Sequence, residues 1–214
     1  MNGKTKAGFD PNQPRDEGGK WASTGAKRKE EAETLEEFEE AIKNQGFESA
    51  AYFDASGVRL FWKDGEKAQV DTSEFEHLYE QFPMGTFTHN HPSNRNLSMQ
   101  DIFMQAAVGV KRMRAVTKDA VYESTLTYMG EQLQGEDKKW LAEELKLRWN
   151  QSEMVAKGIT DKWFYNAMQA TTDPYEKDRI VERANVEFFE NHAKDFFGSD
   201  WAQRWFTYRK IDKS

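Results

Sequence analysis

The stretch Thr86-Phe87-Thr88-His89-Asn90-His91-Pro92-Ser93-Asn94-Arg95-Asn96-Leu97-Ser98-Met99-Gln100-Asp101 decides how this chain is read. Thr86 to His89 has the composition of a short strand, and Pro92 ends it, because proline cannot donate to a sheet ladder. His89 and His91 stand two apart, so at a strand end their imidazoles leave on one face and can converge on one ion. A loop follows. Ser98 to Val108 reads as a helix, and Ser98 and Asp101, three apart at its start, share a face that can turn back toward the histidines. The same pair also fits a helix N-cap with an acidic residue three positions on.

Working outward, the pattern alternates between strands and helices. Ala50 to Asp54 and Val58 to Trp62 are strand-like runs joined at Ala55-Ser56-Gly57, and Lys63-Asp64-Gly65 turns the chain before a further short run, Ala68 to Val70. A helix is expected over Thr72 to Gln81, with Phe75, Leu78 and Tyr79 inward and Pro83 beyond its end. Met113 to Thr117 and Ala120 to Tyr122 form a hairpin about Lys118-Asp119. Upstream, Leu35, Phe38, Ala41 and Ile42 recur at helical spacing, with Gly46 where a C-terminal cap is expected and the acidic run Glu30 to Glu40 as a solvated face. The fold class is therefore α/β.

After Gly135 the period lengthens. Trp140, Leu141, Leu145 and Trp149 mark one helix, Trp163 to Met168 a second, and Ile180, Ala184 and Phe188 a third, with Pro174 interrupting them. Trp201, Trp205, Phe206 and Tyr208 carry the aromatic supply almost to the end, so this region must pack on the α/β core or on a partner. Before about Thr24 the sequence is rich in Gly, Pro, Asn, Asp and Lys and cannot bury a core. The expected division is a flexible tail over 1–25, an α/β domain over 26–130, and a helical, aromatic-rich extension over 131–214.

The bulk composition narrows the function. Thirty Lys and Arg against thirty-seven Asp and Glu give a net charge of -7, which argues against a general grip on nucleic acid. The absence of Cys removes disulfides, thiolate ligands and cysteine nucleophiles, so a transition-metal site must use His and carboxylates. No run approaches the ~18 apolar residues of a membrane-spanning helix, and the first residues lack a secretory apolar region. A cytoplasmic protein without membrane attachment is expected. His77 and His192 read as surface or packing residues. The letters His-Asn-His do not indicate an HNH nuclease, which needs a basic approach for DNA.

Two imidazoles, one carboxylate and an exchangeable fourth position make a hydrolytic zinc centre, and such a centre needs a carboxylate nearby to take and return a proton. Glu48, just before the strand Ala50 to Asp54, is the candidate. Glu66 lies in a turn, and Glu74 and Glu76 in a helix.

His89-Asn90-His91-Pro92-Ser93 followed by Ser98-Met99-Gln100-Asp101 resembles the JAMM (MPN/JAB) metalloprotease motif, particularly its RadC-like and phage-encoded branch, over about Glu48 to Tyr122. The resemblance implies an MPN-like mixed sheet flanked by helices. It also implies zinc held by His89, His91 and Asp101, Glu48 as general base, and Ser98 assisting the oxyanion. Six residues separate His91 from Ser98 where the family usually has seven, a difference that falls in loop. The implied activity is hydrolysis of a peptide or isopeptide bond, with a non-catalytic MPN-type assembly module as the alternative. The stretch Gly8 to Glu17, running on to Lys20-Trp21, resembles a leader on phage and prophage proteins of head assembly. It implies a phage-encoded protein, in a bacterial host cytoplasm or on the virion, whose C-terminal aromatic helices meet a virion or host protein.

Overall fold

The computed structural model describes residues 28–66 and 69–213. The expectations for a flexible tail, for the leader and for Ala68 fall outside them. Among the described residues the chain builds one mixed six-stranded sheet with helices on both faces, which bears out the α/β expectation.

The first helix, α1 (Leu35–Ile42), starts at Thr34, whose hydroxyl caps Glu37 N while the Glu37 side chain returns to the Thr34 backbone. Strands β1 (Ser49–Phe53) and β2 (Arg59–Asp64) form the expected hairpin, turned by Gly57 at φ +88. A 3₁₀ turn over Ser73–Phe75 runs into α2 (Glu76–Gln81), as the spacing indicated. No strand forms at Gln69 or Val70, and Glu66 N donates to Gln69 O.

Strand β3 (Thr86–Asn90) is followed by α3 (Met99–Met104) and a π-helical turn over Gln105–Gly109. The helix expected to run on as far as Val108 thus widens at Gln105, whose amide donates to Lys111 O and Ser124 O. Strands β4 (Arg112–Val116) and β5 (Ala120–Leu126) make the second hairpin. Then come a short α4 (Tyr128–Glu131), α5 (Glu136–Ala170), α6 (Pro174–Gly198), α7 (Asp200–Trp205) and β6 (Phe206–Asp212).

The sheet order is β2-β1-β3-β4-β5-β6, antiparallel except where β3 and β4 run parallel. That parallel pair needs a crossover, and α3 with its π turn supplies it. β1 and β3 are buried along their whole length, as strands covered on both faces must be. On one face Ala51 and Phe53 pack under α1 with Phe38 and Ile42. On the other, Ala50, Tyr52, Phe87, Met113, Ala115 and Tyr122 meet Ile102, Leu141, Leu145, Trp149, Phe196 and Phe197.

The C-terminal region differs from its sequence reading in two ways. The two helices expected between Trp140 and Met168 are one 35-residue helix, and Pro174 starts the next helix at its first turn, where its missing N–H costs nothing. The final aromatic run is also only partly helical: Trp201 and Trp205 lie in α7, but Phe206 to Asp212 pairs antiparallel with β5 as the edge strand of the sheet. The extension therefore closes the same core that β1 to β5 and α3 build.

Candidate metal centre

His89 lies near the end of β3 and His91 one residue past it, where His91 N still bonds Val116 O and so keeps the strand direction. Both rings project from the face that carries Phe87, and the two Nε2 atoms come within 2.8 Å of each other. Asp101 enters from the first turn of α3, with Oδ1 3.1 Å from His89 Nε2 and Oδ2 3.6 Å from His91 Nε2. Tetrahedral ligands bound at about 2.1 Å sit about 3.4 Å apart, so these separations suit one small dication. The three side chains together could hold a metal ion.

Ring chemistry supports that fit. His91 Nδ1 lies 3.0 Å from Arg95 O and 2.9 Å from Asn96 O, and carbonyls only accept, so Nδ1 carries the proton. Burial first, and the neighbouring His89 second, lower the His91 pKa and keep the ring neutral. Its Nε2 lone pair is then bare and aimed at the shared point, the tautomer a metal ligand requires. His89 has no such anchor: its Nδ1 is buried without a hydrogen-bond partner, although the Arg114 backbone is close enough to favour the charged ring. Burial opposes that charge, but the Asp101 carboxylate, with Glu48 and the Arg114 backbone, together more than offset it, so His89 is raised. For Asp101 burial works against ionisation, yet the two imidazoles and the Ser98 amide hold it well below the ordinary carboxylate range.

Asp101 does two jobs at once. Its Oδ2 accepts from Ser98 N at 2.6 Å and from Ser98 Oγ at 2.7 Å, while Asp101 N donates to Ser98 Oγ at 3.2 Å. This is a complete capping box, and it orients the carboxylate so that Oδ1 faces the histidines. The Ser98 proton is thereby committed to Asp101, and an oxyanion role would require the hydroxyl to turn away.

Glu48 also reaches the site. Ala50 pairs with His89, so continuing the antiparallel register by two residues sets Glu48 opposite His91 on the same face. Burial raises its pKa, His89 lowers it and Asp101 raises it, which shows the carboxylate within electrostatic reach of both. His89 is 3% exposed at its side chain, His91 10% and Asp101 14%, so the cluster opens to solvent on the His91 and Asp101 side.

Two asparagines escaped the sequence reading. Asn90, between the histidines, points to the other face: its Oδ1 accepts from Ser49 N at 2.7 Å and its Nδ2 donates to Phe47 O at 2.9 Å. It grips the backbone on both sides of Glu48. Asn96, whose carbonyl holds His91, donates Nδ2 to Phe189 O on α6 at 2.5 Å. Arg95 lies over the Phe189 ring at 4.8 Å. The loop is further fixed at Asn94, in the left-handed region at φ 57, with Nδ2 on Asp119. The histidine motif spans Asn90 without giving it a role, and Asn94, Arg95 and Asn96 fall in the loop beyond it; each gains its role only when the strand register and the return of α6 are known.

His192 is buried and packs edge-on against Trp149 at 4.3 Å, as expected of a packing residue, and His77 is exposed. No helix among the described residues is long and apolar enough to cross a membrane. No family model, curated protein or solved structure matches the chain.

Proposed function

We propose that the chain is a zinc-dependent hydrolase of peptide or isopeptide bonds, of JAMM type. The observation that carries this reading is the convergence of His89 Nε2, His91 Nε2 and the Asp101 carboxylate on one point, and the Glu48 carboxylate, within electrostatic reach of His89 and Asp101, supports it. A nitrogen and oxygen donor set in a chain without Cys suits zinc best among the common dications.

His89, His91 and Asp101 would hold the ion, and Ser98 fixes Asp101 through the capping box. When bound, zinc supplies Lewis acidity that polarises a carbonyl and acidifies water. Glu48 accepts a proton as the water oxygen bonds the carbonyl carbon, then returns it to the leaving nitrogen as the C–N bond breaks. Its burial favours this exchange, because a raised pKa brings the carboxylate nearer the working pH. Asn90 holds the backbone on either side of Glu48, and Asn96 orients His91 by its carbonyl.

A binding module without turnover is the second reading, favoured by the outer faces of α5 and α6, where Met154, Ile159, Tyr165 and Tyr175 are exposed. One experiment separates the two. Metal content of the purified full chain is measured beside a His89→Ala, His91→Ala double variant, with cleavage of lysine-linked and linear peptide conjugates as the activity readout. The expected result is about one zinc per chain and turnover, both lost in the double variant while the thermal midpoint in chelator is kept. Equal metal content in the two proteins removes the centre; zinc without turnover on any conjugate leaves the binding module.

A further inference from the structure

On the sheet face opposite the metal centre, β3, β4, β5 and β6 carry two parallel rows of polar side chains. The register places Thr86, Arg112, Thr125 and Thr207 side by side across four strands, and Thr88, Arg114, Glu123 and Arg209 in the next row. The second row is closed. Arg114 is forked onto Glu39 and also bonds Glu123, Thr88 Oγ1 donates to Glu39, and Arg209 pairs with the remaining Glu123 oxygen at 2.7 Å.

The first row is open. Arg112 is half-buried, and among the described residues its guanidinium has no hydrogen-bond or ion-pair partner. Thr86 is 1% exposed and its Oγ1 has no partner, an unusual state for a buried hydroxyl. Thr207 Oγ1 makes only a long 3.5 Å contact to Thr125 O. The row thus offers a planar cation and the Thr86 hydroxyl with no acceptor among the described residues, and a Thr207 hydroxyl held only by that long contact. It borders a surface cleft of about 370 Å³ lined by Arg112, Glu123, Thr125, Thr207, Tyr208 and Arg209. Glu123 brings no free charge to this cleft, since both of its oxygens are taken by arginines.

We propose that this cleft binds a phosphate group, held by the Arg112 guanidinium with Arg209 at its rim and the Thr125 and Thr207 hydroxyls along its floor. A guanidinium with adjacent hydroxyls matches the tetrahedral oxyanion by charge-assisted, forked hydrogen bonds. The volume exceeds a bare ion and admits the small group that carries the phosphate. The site is separate from the metal centre, being on the other face of the sheet, and it does not depend on the hydrolase reading.

The test uses isotope-labelled full-length protein, held in chelator to keep phosphate off the metal centre. Arg112 Nε and the amides of Thr125, Thr207 and Arg209 are followed while inorganic phosphate is added at constant ionic strength, with acetate and chloride as controls. Saturable shifts confined to these positions are expected below about 10 mM phosphate, with at least about tenfold weaker binding in Arg112→Gln. Thr125→Val, which leaves the arginines in place, should weaken binding by a few-fold and serves if the Arg112 variant does not fold. Repeating the titration with O-phosphoserine tells a carried phosphate, which binds more tightly than the bare ion, from the free ion, which binds equally well. Shifts of the same size with acetate or chloride, shifts retained in both variants, or no saturation overturn the site.

Discussion

Two buried polar clusters lie back to back on the central strands, and they differ in whether they are complete. Under α1, Glu39 and Glu123 meet Arg114 and Arg209, so two negative charges face two positive ones and the side-chain oxygens of both acids are bonded. On the other face His89, His91, Asp101 and Glu48 gather two carboxylates and two imidazoles, with the imidazole Nε2 atoms turned toward one another at 2.8 Å and, among the described residues, no Lys or Arg paired with them. A buried cluster whose charges cancel is finished by the fold itself. One whose lone pairs converge calls for a cation from outside. The two kinds differ in what each loses when one member is removed.

The largest effect is expected in the finished cluster. Arg114→Ala leaves Glu39 and Glu123 buried beside the space the guanidinium filled, and breaking such a pair costs about 3–5 kcal/mol. Denaturant unfolding should show that loss while the metal content of the folded fraction stays unchanged. A loss under about 1 kcal/mol would mean that the network is screened by solvent like an ordinary surface pair.

Glu48→Gln tests the unfinished cluster at its base. It keeps shape and hydrogen bonding but cannot accept a proton, so turnover should fall by about two or more orders of magnitude with zinc content retained. Stability should not fall, because the substitution removes a buried carboxylate that desolvation already disfavours. Full activity in this variant would place the base elsewhere.

The two asparagines should divide between metal and rate. Asn96→Ala frees the loop whose carbonyls orient His91 and should weaken zinc binding about 10–100-fold, read by competition with a chelator. Asn90→Ala loosens the backbone at Phe47 and Ser49 and should lower turnover with zinc affinity nearly unchanged. Matching losses of affinity in both variants would show the site responding as one unit, with no separate support for Glu48.

These residues also mark where the sequence stopped being readable. The histidine spacing, the proline after it and the Ser98 to Asp101 interval are local, so strand geometry and capping alone bring His89, His91 and Asp101 into view. Glu48 was reachable because it immediately precedes a recognisable strand, and register does the rest. Asn90 and Asn96 were not, since their partners Phe47 and Phe189 lie 43 and 93 residues away. β6 was missed for the same reason: Phe206, Tyr208 and Lys210 alternate as a strand does, but its partner β5 is some eighty residues upstream and the preceding tryptophans continue a helical pattern. α5 was read as two helices because beyond Trp149 its inward positions are the small or polar Ser152, Ala156 and Thr160, which give no apolar period.

The smallest effect concerns the third buried histidine, which shows what an imidazole does when nothing converges on it. His192 sits at the root of the α5 and α6 pair, edge-on to Trp149, with Nε2 3.3 Å from Trp149 O. The carbonyl accepts, so Nε2 carries the proton and the ring is neutral without need of a metal. Burial lowers its pKa below the ordinary 6.5, with the Trp149 carbonyl only partly opposing the shift. A histidine lowered in the fold binds fewer protons there than in the unfolded chain, so stability is full above pH 6.5 and declines as pH falls from 6.5 toward the folded value. One such group sets a slope of at most about 1.4 kcal/mol per pH unit. His192→Gln keeps a donor for Trp149 O and cannot titrate, so its unfolding free energy, measured in chelator between pH 7 and 5, should fall less steeply than that of the parent by up to this amount. Zinc content at pH 7 should be the same in both. Parallel pH curves for the two proteins would show that acid acts through other groups, and a variant with lost zinc would tie this packing histidine to the metal centre after all.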